Sequence, residues 1–128
     1  MPEAAEMLRG RRVMIVEDEL LVAMEMESLL KEQGCAVVGP VPTVDRALEL
    51  LDRERPDAAI LDVNLDGQTA IPVAAALNAR GVPFLLATGY GNAQAAEPEL
   101  KDAPRIDKPV SHDRLVRVLA RILKSEPS

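Results

Sequence analysis

At 128 residues with a formal net charge of −6, the chain is one ordinary domain long and too short for two. Hydrophobic residues make up 48% and charged residues 28%, which suits a globule with a proper core. Phe84 and Tyr90 are the whole aromatic complement, and that scarcity, with the acidic balance, argues against a base-stacking or general nucleic-acid surface. The single cysteine, Cys35, excludes an intramolecular disulfide and fits a reducing compartment. It reads as a small buried residue at a strand start rather than a reactive thiol. No apolar run has the length of a membrane span, and Glu3 and Glu6 spoil any secretory pattern, so the expected location is cytoplasmic with no membrane partner.

Residues 1–10 form a polar lead-in, frayed or a partial helical turn. Arg12 to Val16 is the first strand. Residues 20–33 carry a broad apolar face and stop at Gly34, a good helix C-terminal residue. "CAVVGPV" is the second strand, weakened by Gly39 and Pro40. Thr43 then caps a helix whose Val44, Ala47, Leu48, Leu50 and Leu51 fit helical spacing and which ends before Pro56. Asp57 to Leu61 is the third strand. Residues 68–80 are the third helix, closed by Gly81, with Pro72 in its first turns. "VPFLLAT" is the fourth strand, residues 92–101 a poor helix interrupted by Pro98, and "PRI" a brief fifth strand. Ser111 caps the last helix, where Leu115, Val118, Leu119 and Ile122 share one face.

Alternation of this kind predicts an α/β fold, a flavodoxin-like doubly wound (βα)5 sandwich with helices on both faces of a parallel sheet. "VMIV", "AAIL" and "FLLA" are continuously apolar and belong in the centre, whereas the strands broken by Gly-Pro and Pro-Arg belong at the edges. Right-handed crossovers then give the order 2-1-3-4-5. The chain reverses its winding between strands one and three, and a crevice opens at their carboxyl ends.

Strand one ends in Glu17 and Asp18, strand three in Asp62, strand four in Thr88, and strand five leads to Lys108. Three carboxylates at one open rim repel one another without a cation, and all-oxygen ligands suit a hard ion such as Mg²⁺. Acids at a helix N-terminus are common as caps. Three at successive strand ends, with a lysine opposite, point to a functional cluster instead.

On "VEDE", "LDVNLDG", "LATGY" and "DKPV", each in order at a strand end, the sequence resembles the receiver domains of two-component response regulators. The resemblance covers residues 11–124, leaving 1–10 and 125–128 as flexible termini. It implies that Asp62 is the phosphoacceptor and that Asp18, Asp62 and the backbone carbonyl of Asn64 hold Mg²⁺. It also implies that Glu17 acts through a metal-bound water, that Thr88 bonds the phosphoryl group and that Lys108 pairs with it. Such a protein takes its phosphoryl group from a histidine kinase or histidine phosphotransfer protein and signals to a downstream protein partner. It is no enzyme beyond its own phosphorylation and slow autodephosphorylation. Aspartate-nucleophile phosphatases carry a second acid two residues after the nucleophile; the amide of Asn64 cannot act as a general acid-base there, so the aspartyl phosphate should persist.

"PFLLATGYG" further resembles a receiver subgroup marked by "PFxFATGY" and common in alphaproteobacteria, with Leu86 in place of its second Phe. Two departures stand out. Arg105 occupies the place where many receivers carry a switch aromatic, which moves attention to Tyr90 in its Gly-flanked loop as carrier of the conformational change, with Arg105 offering a polar contact. The loop from Asp62 to Gly67 is short and lacks the usual proline.

Along the first helix, Val22, Met26, Leu29 and Leu30 face one way, while Leu20 and Met24 fall on the other side and could meet the phosphodonor. Arg114, Arg117, Arg121 and Lys124 make a basic stripe that reads as a solvated face, and His112 as an exposed first-turn residue. The resulting expectation is a single-domain response regulator of bacterial two-component type. The rivals are a pseudo-receiver that binds without being phosphorylated, a small phosphatase that Asn64 speaks against, and a flavin-binding relative that the lack of aromatics speaks against.

Overall fold

The computed structural model describes residues 6–65, 68–89, 100 and 102–124, with the side chain of Asn64 outside that description. Five parallel strands form the sheet: β1 (Arg12–Val16), β2 (Ala36–Val41), β3 (Ala58–Asp62), β6 (Phe84–Thr88) and β7 (Arg105–Asp107). Their order is β2-β1-β3-β6-β7, the doubly wound arrangement expected for strands one to five. Every residue of β3 and β6 is buried, whereas β2 and β7 are largely exposed or half-buried. Continuous apolar runs thus took the centre and the strands broken by glycine, proline or charge took the edges.

Alternate side chains of each strand serve opposite faces. Met14 and Val16 join Leu61, Leu86, Leu51 and Leu77 under the helices α2 (Val44–Arg53) and α3 (Ile71–Ala79). Val13 and Ile15 join Ile60, Leu85, Leu30 and Leu119 under α1 (Leu20–Glu32) and α4 (His112–Lys124). Burying one leucine is worth about 1.5–3 kcal/mol, so these two layers fix which way each helix faces. Local signals agree with them. Thr43 Oγ1 accepts from the Arg46 N–H at 3.1 Å and Ser111 Oγ from that of Arg114 at 3.3 Å, the caps read from the sequence. Pro72 sits in the first turn of α3.

At Gly39 the register between β1 and β2 shifts, and a Cβ there would lie 3.0 Å from Val41 N and 3.1 Å from Ile15 O. With φ at +96° as well, only glycine fits. The shift lets the Glu17 N–H reach Val41 O at 3.0 Å, which carries the ladder one residue beyond β1 and holds Glu17 at the sheet edge.

Two features differ from the sequence reading. The third helix begins at Ile71, not at 68, because β4 (Asn64–Leu65) and β5 (Gln68–Thr69) pair as a small antiparallel hairpin ahead of it. The Ala70 N–H then bonds Val63 O at 2.9 Å, folding the segment back against the end of β3. The lead-in has the partial helical turn read from the sequence, but that turn is packed rather than a flexible terminus. Residues 6–8 make a helical turn whose Leu8 is fully buried, so the packed unit reaches back at least that far. The Cys35 thiol donates to Leu8 O at 3.3 Å, and burial pushes its pKa up to about 11, which leaves Cys35 a packed, protonated side chain. The helix expected over 92–101 lies outside the described residues except for Leu100, which is buried. Among the described residues no helix is long and apolar enough to cross a membrane.

Candidate functional site

Topology alone brings the chemistry to one rim. Val16 is level with Leu61, so Glu17 and Asp18 emerge beside Asp62, the last residue of β3. Asp62 is level with Ala87 and Thr88 with Asp107, so Thr88 and then Lys108 follow at the same carboxyl edge. The Lys108 N–H bonds Thr88 O at 2.9 Å, which ties the last strand's exit to the fourth strand's end. Among the described residues the buried polar or charged side chains are Glu17, Asp62 and Thr88, and all of them stand here. Burial of two carboxylates is costly unless charge is met, so their gathering needs a reason other than folding.

Lys108 partly meets it. Its Nζ lies 2.8 Å from Glu19 Oε1, 2.9 Å from Glu17 Oε1 and 3.2 Å from Asp62 Oδ2. Glu17 Oε2 also accepts from the Glu19 N–H at 3.0 Å, while the buried Oε1 has no aligned hydrogen bond despite the ammonium beside it. Burial pushes the Asp62 carboxyl up to about 7, helped by the hydrogen bond and charge of Glu17 and opposed by Lys108. Burial pushes the Lys108 ammonium down, but Glu19, Glu17 and Asp62 outweigh it and hold its pKa above the ordinary lysine value.

The rim is therefore short of positive charge. Ligand oxygens of Glu17, Asp18 and Asp62 lie within 4.8 Å of one another. An all-oxygen set in which one buried carboxylate oxygen has no aligned hydrogen bond fits a hard dication such as Mg²⁺. Asn64 follows two residues after Asp62, where β4 begins. Thr88 is buried, and its hydroxyl donates to Asp107 Oδ1 at 3.4 Å.

Other residues singled out from the sequence lie elsewhere. Arg105 is exposed at the start of β7, level with Leu86, and its carbonyl accepts from Arg114 Nη2 at 3.4 Å. Tyr90 lies outside the described residues. Leu20 and Met24 are exposed on α1, as the wheel predicts, at 71% and 52%. Leu21, which sequence reasoning passed over, is more exposed still at 80%. With Val22, Met24, Glu25, Ser28 and His112 it lines a hollow of about 440 Å³ between α1 and the start of α4. Glu19 was also missed. The signal for it is the third acid of "VEDE", one residue past Asp18 and so on the same turn into α1.

A doubly wound sheet carries this acid-and-lysine rim, and residues 13–120 match the model of the response regulator receiver domain. The chain belongs to that family, whose members signal with histidine kinases and downstream partners rather than turn over a separate substrate. It is 42% identical to SdrG from Sphingomonas melonis Fr1, with a TM-score of 0.78 over 89% of this chain and 97% of that one. It is 31% identical to the transcriptional regulatory protein PdtaR of Mycobacterium tuberculosis over 68% of this chain and 43% of the relative. It is 29% identical to the sensory transduction protein LytT of Bacillus cereus over 91% and 49%. The chain thus spans about half the length of the curated relatives it matches.

Proposed function

We propose that Asp62 accepts a phosphoryl group from a histidine kinase or histidine phosphotransfer protein, and that the phosphorylated domain signals by contact with a protein partner. The observation that carries this reading is the burial of Asp62 at the switch point with Lys108 Nζ 3.2 Å from its Oδ2. A structural carboxylate gains nothing from that position; a nucleophile needs it. In the transfer, an Asp62 oxygen forms the bond to phosphorus as the donor's bond to phosphorus breaks, and the bonding pair leaves on the donor atom. Lys108 pairs with the arriving phosphoryl oxygens as a point charge, and the Thr88 hydroxyl turns from Asp107 to donate to one of them.

Asp18, Asp62 and the backbone carbonyl of Asn64 would hold Mg²⁺, with Glu17 in its outer sphere. When bound, the ion supplies positive charge to the phosphoryl oxygens. Asn64 offers no acid-base group for hydrolysis, which favours a lasting aspartyl phosphate over turnover. The exposed Leu20, Leu21 and Met24 beside the pocket offer the donor an apolar contact surface.

Incubation with acetyl phosphate tests the reading. The intact mass should rise by one phosphoryl group with Mg²⁺ and stay unchanged with a chelator; equal labelling in both overturns the metal's part. Asp18 gives a separate check that needs no phosphate. Mg²⁺ binds the folded state only and should raise the melting temperature of the wild type by several degrees at millimolar concentration. Asp18→Ala should lose most of that rise, measured by differential scanning fluorimetry. A mutant that responds as the wild type does would remove Asp18 from the ligand set.

A further inference from the structure

Lys108 is held by three carboxylates, and the shortest contact belongs to the one that phosphoryl transfer does not use. Glu19 Oε1 is 2.8 Å from its Nζ, closer than Glu17 or Asp62. The three differ in surroundings. Glu17 and Asp62 are buried, whereas the Glu19 side chain is 60% exposed at the mouth of the pocket. Glu19 stands at the N-cap position of α1, yet its side chain makes no capping bond. Its backbone N–H is fixed to Glu17 Oε2 at 3.0 Å. The main chain is thus pinned beside the pocket while the carboxylate reaches Lys108 and nothing else that the helix needs.

We propose that Glu19 is a positioning residue for Lys108, a solvent-facing latch that draws the ammonium to the pocket mouth before transfer and must release it as Asp62 takes the phosphoryl group. The inference rests on the phosphoacceptor reading of Asp62. As the new oxygen–phosphorus bond forms and the donor departs with the old bonding pair, the phosphoryl oxygens place more negative charge in the pocket than the carboxylate they cover. Among the described residues Lys108 is the ammonium within reach of Asp62, and every step it takes toward that charge lengthens its contact with Glu19. An exposed ion pair is weak, so the release is easy, but it is not free. The unphosphorylated state is thereby favoured slightly over the transfer state, and the same carboxylate keeps the ammonium near at hand.

Glu19→Gln removes the competing charge and retains the shape. With no cap bond to lose and an exposed side chain, the variant should fold as the wild type does. Phosphorylation of the Mg²⁺-loaded protein by acetyl phosphate should accelerate by about 2- to 5-fold, the scale of an exposed pair. A bland alternative is that Glu19 simply repels the anionic donor. Two further variants separate the readings. Glu19→Asp keeps the charge but shortens the reach, so a latch predicts acceleration and mere repulsion predicts the wild-type rate. In a Lys108→Met background the latch has nothing to hold, so adding Glu19→Gln should change the already slow rate by less than the single variant does; repulsion predicts the same factor in both. A metal-free readout completes the test, since at one fixed neutral pH the Lys108 side-chain NMR resonances should move in Glu19→Gln while those of the rest of the domain stay. An unchanged rate in Glu19→Gln, a wild-type rate in Glu19→Asp, an undiminished effect beside Lys108→Met, or unmoved Lys108 resonances each overturns the proposal. If the wild type itself takes no phosphoryl group, the phosphoacceptor reading fails separately, and the resonances still decide whether Glu19 holds Lys108.

Discussion

Asp62→Asn should reduce labelling by acetyl phosphate to background while the far-ultraviolet circular dichroism and the cooperative melt remain those of a folded domain. The amide keeps the side chain's shape and can still bond Lys108, but it has no carboxylate oxygen with which to attack phosphorus. The loss should exceed about 1,000-fold, because nothing else buried in the rim matches the nucleophile: Glu17 already serves Lys108 and the Glu19 N–H, and the Thr88 hydroxyl, held only by a long bond to Asp107, is a far weaker nucleophile than a carboxylate. The variant should also be more stable than the metal-free wild type near neutral pH, by about 5 °C or more in melting temperature, because a buried carboxylate crowded by Glu17 has been neutralised. Function lost and stability gained is the signature of a strained site. Label retained at the wild-type level would end the assignment. A variant less stable than the wild type would show that Lys108 balances the rim better than its geometry indicates.

The sheet was legible because each strand's composition answers to its burial. β1, β3 and β6 carry unbroken aliphatic runs and are central; β2 has Gly39-Pro40 and β7 has Pro104-Arg105, and both are edges. The site was legible for the same reason. A charge at the end of a buried strand has one place to go, so Glu17, Asp18, Asp62, Thr88 and Lys108 converge once the strand order is known. What escaped were features that no periodicity marks. Leu8 lies in a stretch too short and polar to show a face, and only packing against the α1 and α4 layer reveals it as core. The β4–β5 hairpin is two residues a side, below the length at which alternation means anything. Leu21 sits between Leu20 and Val22 in an apolar cluster, where a wheel assigns the face poorly. Glu19 carried no signal of its own beyond its place in "VEDE". Its role is set by where Lys108 points, and that depends on a residue 89 positions away.

The metal-free protein should lose stability as the pH rises from about 4 to about 7, and Mg²⁺ should reverse that trend. In the unfolded chain Asp62 ionises near 3.8; in the folded chain burial and Glu17 raise its pKa to about 7. Across the interval the folded state holds a proton that the unfolded state has released, so the folded state is favoured at the acid end and the advantage disappears on passing through the folded value. The ceiling is on the order of 4 kcal/mol, from 1.36 kcal/mol per pH unit over about three units, and relaxation around Lys108 will lower it. Mg²⁺ binds the ionised carboxylates, so its stabilising effect should be small at pH 5 and grow toward pH 8, where no proton competes. Urea unfolding at several pH values, with chelator or with Mg²⁺, measures both curves. Asp62→Asn should flatten the metal-free curve over this interval. A metal-free stability that stays level or climbs between pH 5 and 7 would mean that Asp62 is ionised there. The rim would then be balanced by Lys108 alone, and the case for a bound dication would lose its electrostatic ground.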